Sequence, residues 1–463
     1  MRKKQIFNLI DSLKKADEVL SGSGSPGSEE IELLKKCQET AILIGTEIEK
    51  KYMGEDNSSS GDREGAEKTV KNLEAYCESA YNLAECIANG DKGSFNKLSK
   101  VMRKNLLNAE KTLMYETGED KKEVLFLPYK ASMWDSLESL YKKAASDPGI
   151  NALVIPIPYY ERDNEGKLSI EHYEGNEYPD DIPITDYREY DFQGSFPDEI
   201  YIHNPYDDRN YVTSVHPFFY STNLKKITDK LIYVPYFVLK DPEDPDNENV
   251  LKGIENYVLV PGVFYSDKTI VQSEKMRKAY VNILTSYTMA QDKEHSEADI
   301  RTFWEGRIDG SGSPKFDKIR NTKREDLNVP EEWKRMIKKE DGSDKKVILY
   351  NTGVSALLGY DEKMIDKIER VFKTFLDHKD EVTLLWRPHP LMETTLTSMR
   401  PELYQRYMEI KNRYISEGWG IYDDTPDMDR AMILSDAYFG DMSSLVELYK
   451  ETGRPIMIQN PEV

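Results

Sequence analysis

The chain has 463 residues, 38% of them hydrophobic, and its 63 Lys and Arg against 84 Asp and Glu give a formal charge of −21. The length allows about three domains with cores of their own, and 30 Tyr in an 11% aromatic content exclude a disordered chain. The acidic balance excludes a nucleic-acid binder held by phosphate contacts and broad electrostatic docking on anionic lipid.

That charge is uneven. Residues 161–209 hold 15 acids against four bases, a net −11 in one Tyr-rich segment, whereas residues 1–120 are close to balanced at −4. The three cysteines, Cys37, Cys77 and Cys86, form no CxxC and cannot all pair, which reads as thiols in a reducing compartment. Met1-Arg-Lys-Lys opens like a signal n-region, but Asp11 and Lys14-Lys15 break the apolar run. No stretch approaches the 18 or so apolar residues of a membrane span. A cytoplasmic protein is expected.

Residues 1–120 predict helix throughout, near 3–20, 28–52, 63–89 and 94–116, separated by Gly- and Ser-rich spacers. Leu33, Cys37, Ala41, Ile44 and Ile48 recur at helical spacing, and Ser28 before Glu29-Glu30 suggests an N-cap with an acidic first turn. No chemistry is visible here; the region reads as a packing, oligomerisation or membrane-peripheral bundle. At Glu123 the pattern changes to VLFLPYK, a helix over 133–145, and NALVIPIPYY, which is strand–helix–strand spacing for a parallel sheet. Further apolar runs follow at EIYIHNP, KLIYVPYFVL and ENYVLVPGVFY, then DKTIVQS and a helix over 274–290. A polar stretch near 320–346 reads as a linker with a short helix. A second alternation runs from KKVILYNTG through VTLLWRPHP, GIYDD and DAYFGD to RPIMIQN, with helices at 361–379, 401–416, 427–434 and from 443. The chain therefore divides into a helical region 1–120, a first α/β domain 121–325 and a second 326–463. Ligands are expected at strand C-terminal ends.

Arg387 and His389 in RPHP directly follow the strand VTLLW, which places a guanidinium fork and an imidazole at such an end, suited to a phosphate. In SDAYFGDMSS, Ser443 or Asp441 can cap the next helix, and its free N–H groups with the Ser443 and Ser444 hydroxyls would receive an anion. His216 is held extended by Pro217, just upstream of Ser221, Thr222 and the basic pair Lys225-Lys226, and suits a general base for an alcohol nucleophile. No HExxH, CxxC pair, EF-hand loop, GxxxxGK[ST] or GxSxG occurs. The pairs Asp244/Asp246 and Asp427/Asp429 read as a turn and a helix cap. A GxGxxG match at Gly22, Gly24 and Gly27 lies between helices, the wrong context for a dinucleotide.

His216 with LKK, GSPKFD, RPHP and SDAYFGDMSS resemble, in that order, stretches of the CDP-glycerol glycerophosphotransferase family, which builds teichoic-acid-like polyol phosphate polymers. The resemblance covers roughly 123–463. It implies two Rossmann-like domains in a GT-B arrangement, so the expected fold class is α/β of that kind preceded by an all-α region. It further implies transfer of glycerol phosphate or another polyol phosphate from a CDP-activated donor to an acceptor hydroxyl, lipid-linked acceptors included. CMP would leave, with neither metal nor cofactor required. His216 would be the base, His389 and Arg387 would hold the diphosphate, and Asp441, Ser443, Ser444 and Lys225 would bind phosphate or nucleotide. The resemblance also implies cytoplasmic work at the inner face of the membrane, with the N-terminal helices left as an oligomerisation surface. The sequence departs from the pattern in the spacing from His216 to Leu224, in Lys315 for the family's Arg, in Leu391 after His-Pro, and in Met442. A closing helix that crosses back to the first domain is missing from this reading. A nucleotide-sugar glycosyltransferase and a non-catalytic scaffold of a polymer-assembly complex are the alternatives.

Overall fold

A computed structural model describes residues 1–22, 27–54, 60–163, 165–210, 212–425 and 427–459. Gly24 of the GxGxxG match lies outside them. The chain forms two compact units, Met1–Lys122 with Asp191–Phe196, and Glu123–Tyr190 with Pro197–Val463.

The first unit is a bundle of α1 (Lys3–Gly22), α2 (Ser28–Tyr52), α3 (Ser60–Ala88) and α4 (Lys92–Glu116). Each helix turns one apolar stripe inward, and Ile10, Leu34, Ile44, Tyr76, Leu83, Met102 and Leu106 share a core. The N-cap of α2 is Gly27, one residue ahead of the expected Ser28, because Glu30 reaches back to the Gly27 N–H at 2.7 Å. Asp91 caps α4 by accepting from Gly93 and Ser94. The acidic segment lends this unit a short helix, Phe192–Ser195; Lys4 lies 4.5 Å over the Phe196 ring. Among the described residues the cysteines are free thiols, and no helix is long and apolar enough to cross a membrane.

The second unit holds fourteen strands among its described residues: β1 (Lys122–Leu127), β2 (Ile150–Val154), β3 (Tyr159–Arg162), β4 (Leu168–His172), β5 (Glu199–Ile202), β6 (Thr213–Val215), β7 (Lys230–Tyr233), β8 (Lys268–Ile270), β9 (Ile308–Asp309), β10 (Lys346–Thr352), β11 (Val382–Pro388), β12 (Ile421–Tyr422), β13 (Ala437–Gly440) and β14 (Ile456–Ile458). One sheet runs β2-β1-β5-β7-β8-β9 and another β12-β11-β10-β13-β14. The strands of the second pair in parallel throughout, as do those of the first from β1 to β9. Both orders reverse direction once, beside β1 and beside β10, as doubly wound sheets do. The expected class, α/β with two Rossmann-like halves in succession after an all-α region, is the one observed.

One expectation needs correction. ENYVLVPGVFY is not a strand: it folds as two short helices, Glu255–Val258 and Pro261–Tyr265, the second started by Pro261 at its first position. The helix predicted over 361–379 is observed as Glu362–Leu376; a further short helix, Val354–Tyr360, precedes it across Asp361 with φ 46°. Within the acidic stretch, β3 pairs antiparallel with β4 on one side and with β6 on the other in a small third sheet.

The helix Pro314–Asn321, in the expected GSPKFD turn, joins the two halves. Ser313 caps it, its Phe316 and Ile319 enter the second half's core, and buried Lys315 pairs with Asp135 of the first half. Lys318 reaches Glu138 of the first half at 3.0 Å and Asp429 of the second at 3.4 Å.

Candidate functional site

The C-terminal edge of the second sheet gathers most of the residues singled out in the sequence. Asn351, at the end of β10, donates through Nδ2 to the Arg387 carbonyl at 2.9 Å and accepts at Oδ1 from the Ser443 hydroxyl at 3.1 Å. Three loops, after β10, β11 and β13, are thereby tied to one side chain. Gly440 (φ +143°) makes this possible, because a Cβ there would stand 2.2 Å from the Asn351 carbonyl oxygen.

Asp441 is buried, and its carboxylate is already used. One oxygen accepts from the Gly353 N–H at 2.7 Å, and the other pairs with the fully buried Lys367. It offers no open charge to a ligand; it fixes the turn after β10 against the turn after β13. Ser443 occupies the N-cap position of the helix Ser444–Tyr449 without making a capping bond, and Ser444 is exposed. A six-residue helix whose cap hydroxyl is turned to Asn351 does not supply the expected helix-end anion site.

Arg387 is buried as well. It pairs through Nη1 with the fully buried Asp423 and donates through Nη2 to the Thr425 carbonyl at 2.7 Å, so its fork shapes the loop after β12. His389 differs: it is exposed on the rim, anchored by its backbone N–H to the Thr352 carbonyl at 2.9 Å. Its Nδ1 accepts from the Leu391 N–H at 3.1 Å, which assigns the proton of the neutral ring to Nε2 as a donor. Partial burial holds its pKa below the usual value, so the neutral donor form prevails at neutral pH. A cavity of about 170 Å³ opens beside it, lined by Arg387, Glu393, Lys411, Tyr422 and Thr425 among others. Lys411 pairs with Glu393 at 2.5 Å and sits 4.9 Å over the Tyr422 ring. The pocket thus gathers the His389 ring, a tethered cation and the Tyr422 ring with the carboxylates of Glu393, Asp423 and Asp424, a polar lining with groups for a phosphate and a planar base.

The remaining candidates belong to the first half. His216 follows β6 and is exposed, with Nδ1 accepting from the Phe218 N–H at 3.2 Å and its ring 6.0 Å from Tyr160. Its loop is fastened to the chain leaving β5, since buried Asp207 accepts from the Ser221 N–H at 3.0 Å and the Ser221 hydroxyl at 2.5 Å. Lys225 pairs with Asp267, whose other oxygen accepts from Leu231 N at the start of β7. That is the N-terminal edge of the sheet, away from where parallel sheets bind ligands.

One group escaped the sequence reading. His203, at the end of β5, is fully buried, accepts at Nε2 from the Tyr129 N–H at 3.0 Å and meets the Ser136 hydroxyl with Nδ1 at 3.0 Å. Burial pushes its pKa down to about 3, so it stays neutral and pins the loop after β1. Its signal was faint: one His in an apolar run. Among the described residues no cluster of His, Cys, Asp and Glu could hold a metal ion.

Fold and site together define an α/β protein of two Rossmann-like halves, with its open polar edge on the second. No protein-family model matches the chain, and no curated protein matches it. Among solved structures, it is similar to the UDP-GlcNAc 2-epimerase from Methanocaldococcus jannaschii at 11% identity, covering 74% of this chain and 86% of that one with a TM-score of 0.41. It is similar to the UDP-GlcNAc 2-epimerase from Neisseria meningitidis bound to UDP-GlcNAc at 12% identity, covering 73% and 82% with a TM-score of 0.39. It is similar also to the wall teichoic acid polymerase TagF at 15% identity, covering 78% of each chain with a TM-score of 0.36.

Proposed function

We propose that this chain transfers a polyol phosphate from a CDP-activated donor such as CDP-glycerol to an acceptor hydroxyl, working in the cytoplasm or at the inner face of the membrane. The observation that carries the reading is the pocket at the end of β11, which His389, Lys411 and Tyr422 line together. In this scheme Tyr422 receives the base, and His389 donates to the diphosphate. His216, on the loop fastened to the edge of the first half, takes the acceptor's proton. The acceptor oxygen forms a bond to the β-phosphorus, the bond from that phosphorus to the bridging oxygen breaks, and CMP leaves with the pair of electrons. Positioning and hydrogen bonding to the developing charge carry the step.

A second reading, a non-catalytic scaffold, draws on the neutralisation of Arg387 by Asp423, which leaves no open guanidinium at the pocket. Incubation of the purified chain with CDP-glycerol and a polyol phosphate acceptor separates the two. CMP release that disappears in His389→Ala supports the transferase; CDP binding without CMP release supports the scaffold.

A further inference from the structure

The outer face of α4 runs against the charge of the chain. Residues 92–116 carry six bases and two acids, while α3, beside it, carries three bases and six acids. Both acids of α4 are neutralised by neighbouring helices: Glu110 pairs with Lys14 at 2.5 Å and Glu116 with Lys68 at 2.8 Å. The cations are left over. Lys97, Lys100, Arg103, Lys104 and Lys111 are exposed, and none makes an ion pair within 4.0 Å among the described residues.

At 100° per residue these five fall within about 120° of the helix circumference, opposite the buried Met102, Leu106, Ala109 and Leu113. Four exposed apolar side chains share that outward face: Val101 (42%), Leu107 (45%), Met114 (44%) and Tyr115 (74%), with Leu107 and Met114 two turns apart. The face is about 27 Å long at 1.5 Å per residue. Unpaired cations without acids among them, interleaved with apolar side chains that reach past the backbone, complement a surface that is anionic outside and oily beneath. The charge of −21 does not cancel this locally, because charges farther off than about 8 Å are screened at physiological salt.

We propose that the exposed face of α4 is a docking surface for an anionic lipid bilayer. This gives a residue basis to the membrane-face placement in the proposed function, and it stands or falls separately from the transferase chemistry. The cations meet lipid phosphates while Leu107, Met114 and Tyr115 enter the headgroup region. Co-sedimentation of the full chain with vesicles of phosphatidylglycerol and phosphatidylcholine, against vesicles of phosphatidylcholine alone, tests it. The wild type is expected on the anionic vesicles only, and to leave them in high salt. Lys100→Gln with Lys104→Gln and Lys111→Gln is expected to weaken partitioning by about 100-fold, at roughly fivefold per lost cation. Lys35→Gln with Lys36→Gln, an equal kind of change on α2, leaves it within about threefold if the face is specific. Leu107→Gln with Met114→Gln weakens it at unchanged charge. Equal binding to both vesicle types, or an unchanged triple variant of intact helicity, overturns the proposal. So does wild-type self-association without vesicles that the triple variant abolishes, since the face would then bind a second copy. CMP release from CDP-glycerol onto a water-soluble acceptor, assayed on the same triple variant, reports separately on the transferase reading.

Discussion

The two parallel sheets are wound alike yet finish differently at their C-terminal edges. On the first, the polar groups are consumed inside: His203 is buried and neutral, Lys315 is matched by Asp135, and Tyr129 stacks edge-on against His203 and Tyr159. On the second, a buried frame of Asn351, Asp441, Lys367, Arg387 and Asp423 supports an exposed imidazole beside a cavity. The difference teaches that charge at a strand end is not by itself a ligand group. Arg387 and Asp441 hold the loops, and His389 is the group they hold out.

The sharpest way to break this comparison is to unbalance the frame. Lys367→Met leaves the Asp441 carboxylate buried without its cation and is expected to cost about 3–5 kcal/mol. Adding Asp441→Asn should recover much of that loss, which a double-mutant cycle by denaturant unfolding reads directly. Gly440→Ala, which forces a Cβ onto the Asn351 carbonyl, should cost at least about 2 kcal/mol in the same measurement.

Chemistry should part from framework next. His389→Ala is expected to lower CMP release about 100-fold with unfolding unchanged, and His216→Ala to lower kcat by a similar factor while donor affinity holds. Steady-state kinetics in both substrates separates the two.

A smaller effect contrasts the bundle with the α/β unit. Burial raises the pKa of Asp17 to about 6, although it accepts from the Tyr76 hydroxyl at 3.0 Å. The folded state therefore holds a proton that the unfolded chain has lost above about pH 4, so this group costs stability increasingly as pH rises from 4 to 6. Asp17→Asn should stabilise the bundle by on the order of 1–2 kcal/mol at pH 7.5 and by almost nothing at pH 4, as thermal melts at the two pH values would show.

Much of this was legible in the residues. The four helices follow from their spacing and spacers, and β10 and β11 are long apolar runs with a change of chemistry at their ends. Where the sequence misled, the causes are physical. In ENYVLVPGVFY the apolar run resembled a strand, but Pro261 is preset for a helical first turn, and Gly262 packs against the Pro205 backbone. The small antiparallel sheet was hidden because β4 is short and largely exposed, Ile170 included. The site's frame was hidden for another reason. Lys367 and Asp441 lie 74 positions apart, and Lys315 and Asp135 lie 180 apart, so no local pattern announces either pair.

The central claim is that the edge beside β11 receives a nucleoside diphosphate through His389. Calorimetric titration of CDP into the wild type and into His389→Ala tests it most directly. Saturable binding by the wild type, weakened at least about tenfold in the variant, is the predicted result. Equal affinity in the two proteins, or no binding to either, would contradict it.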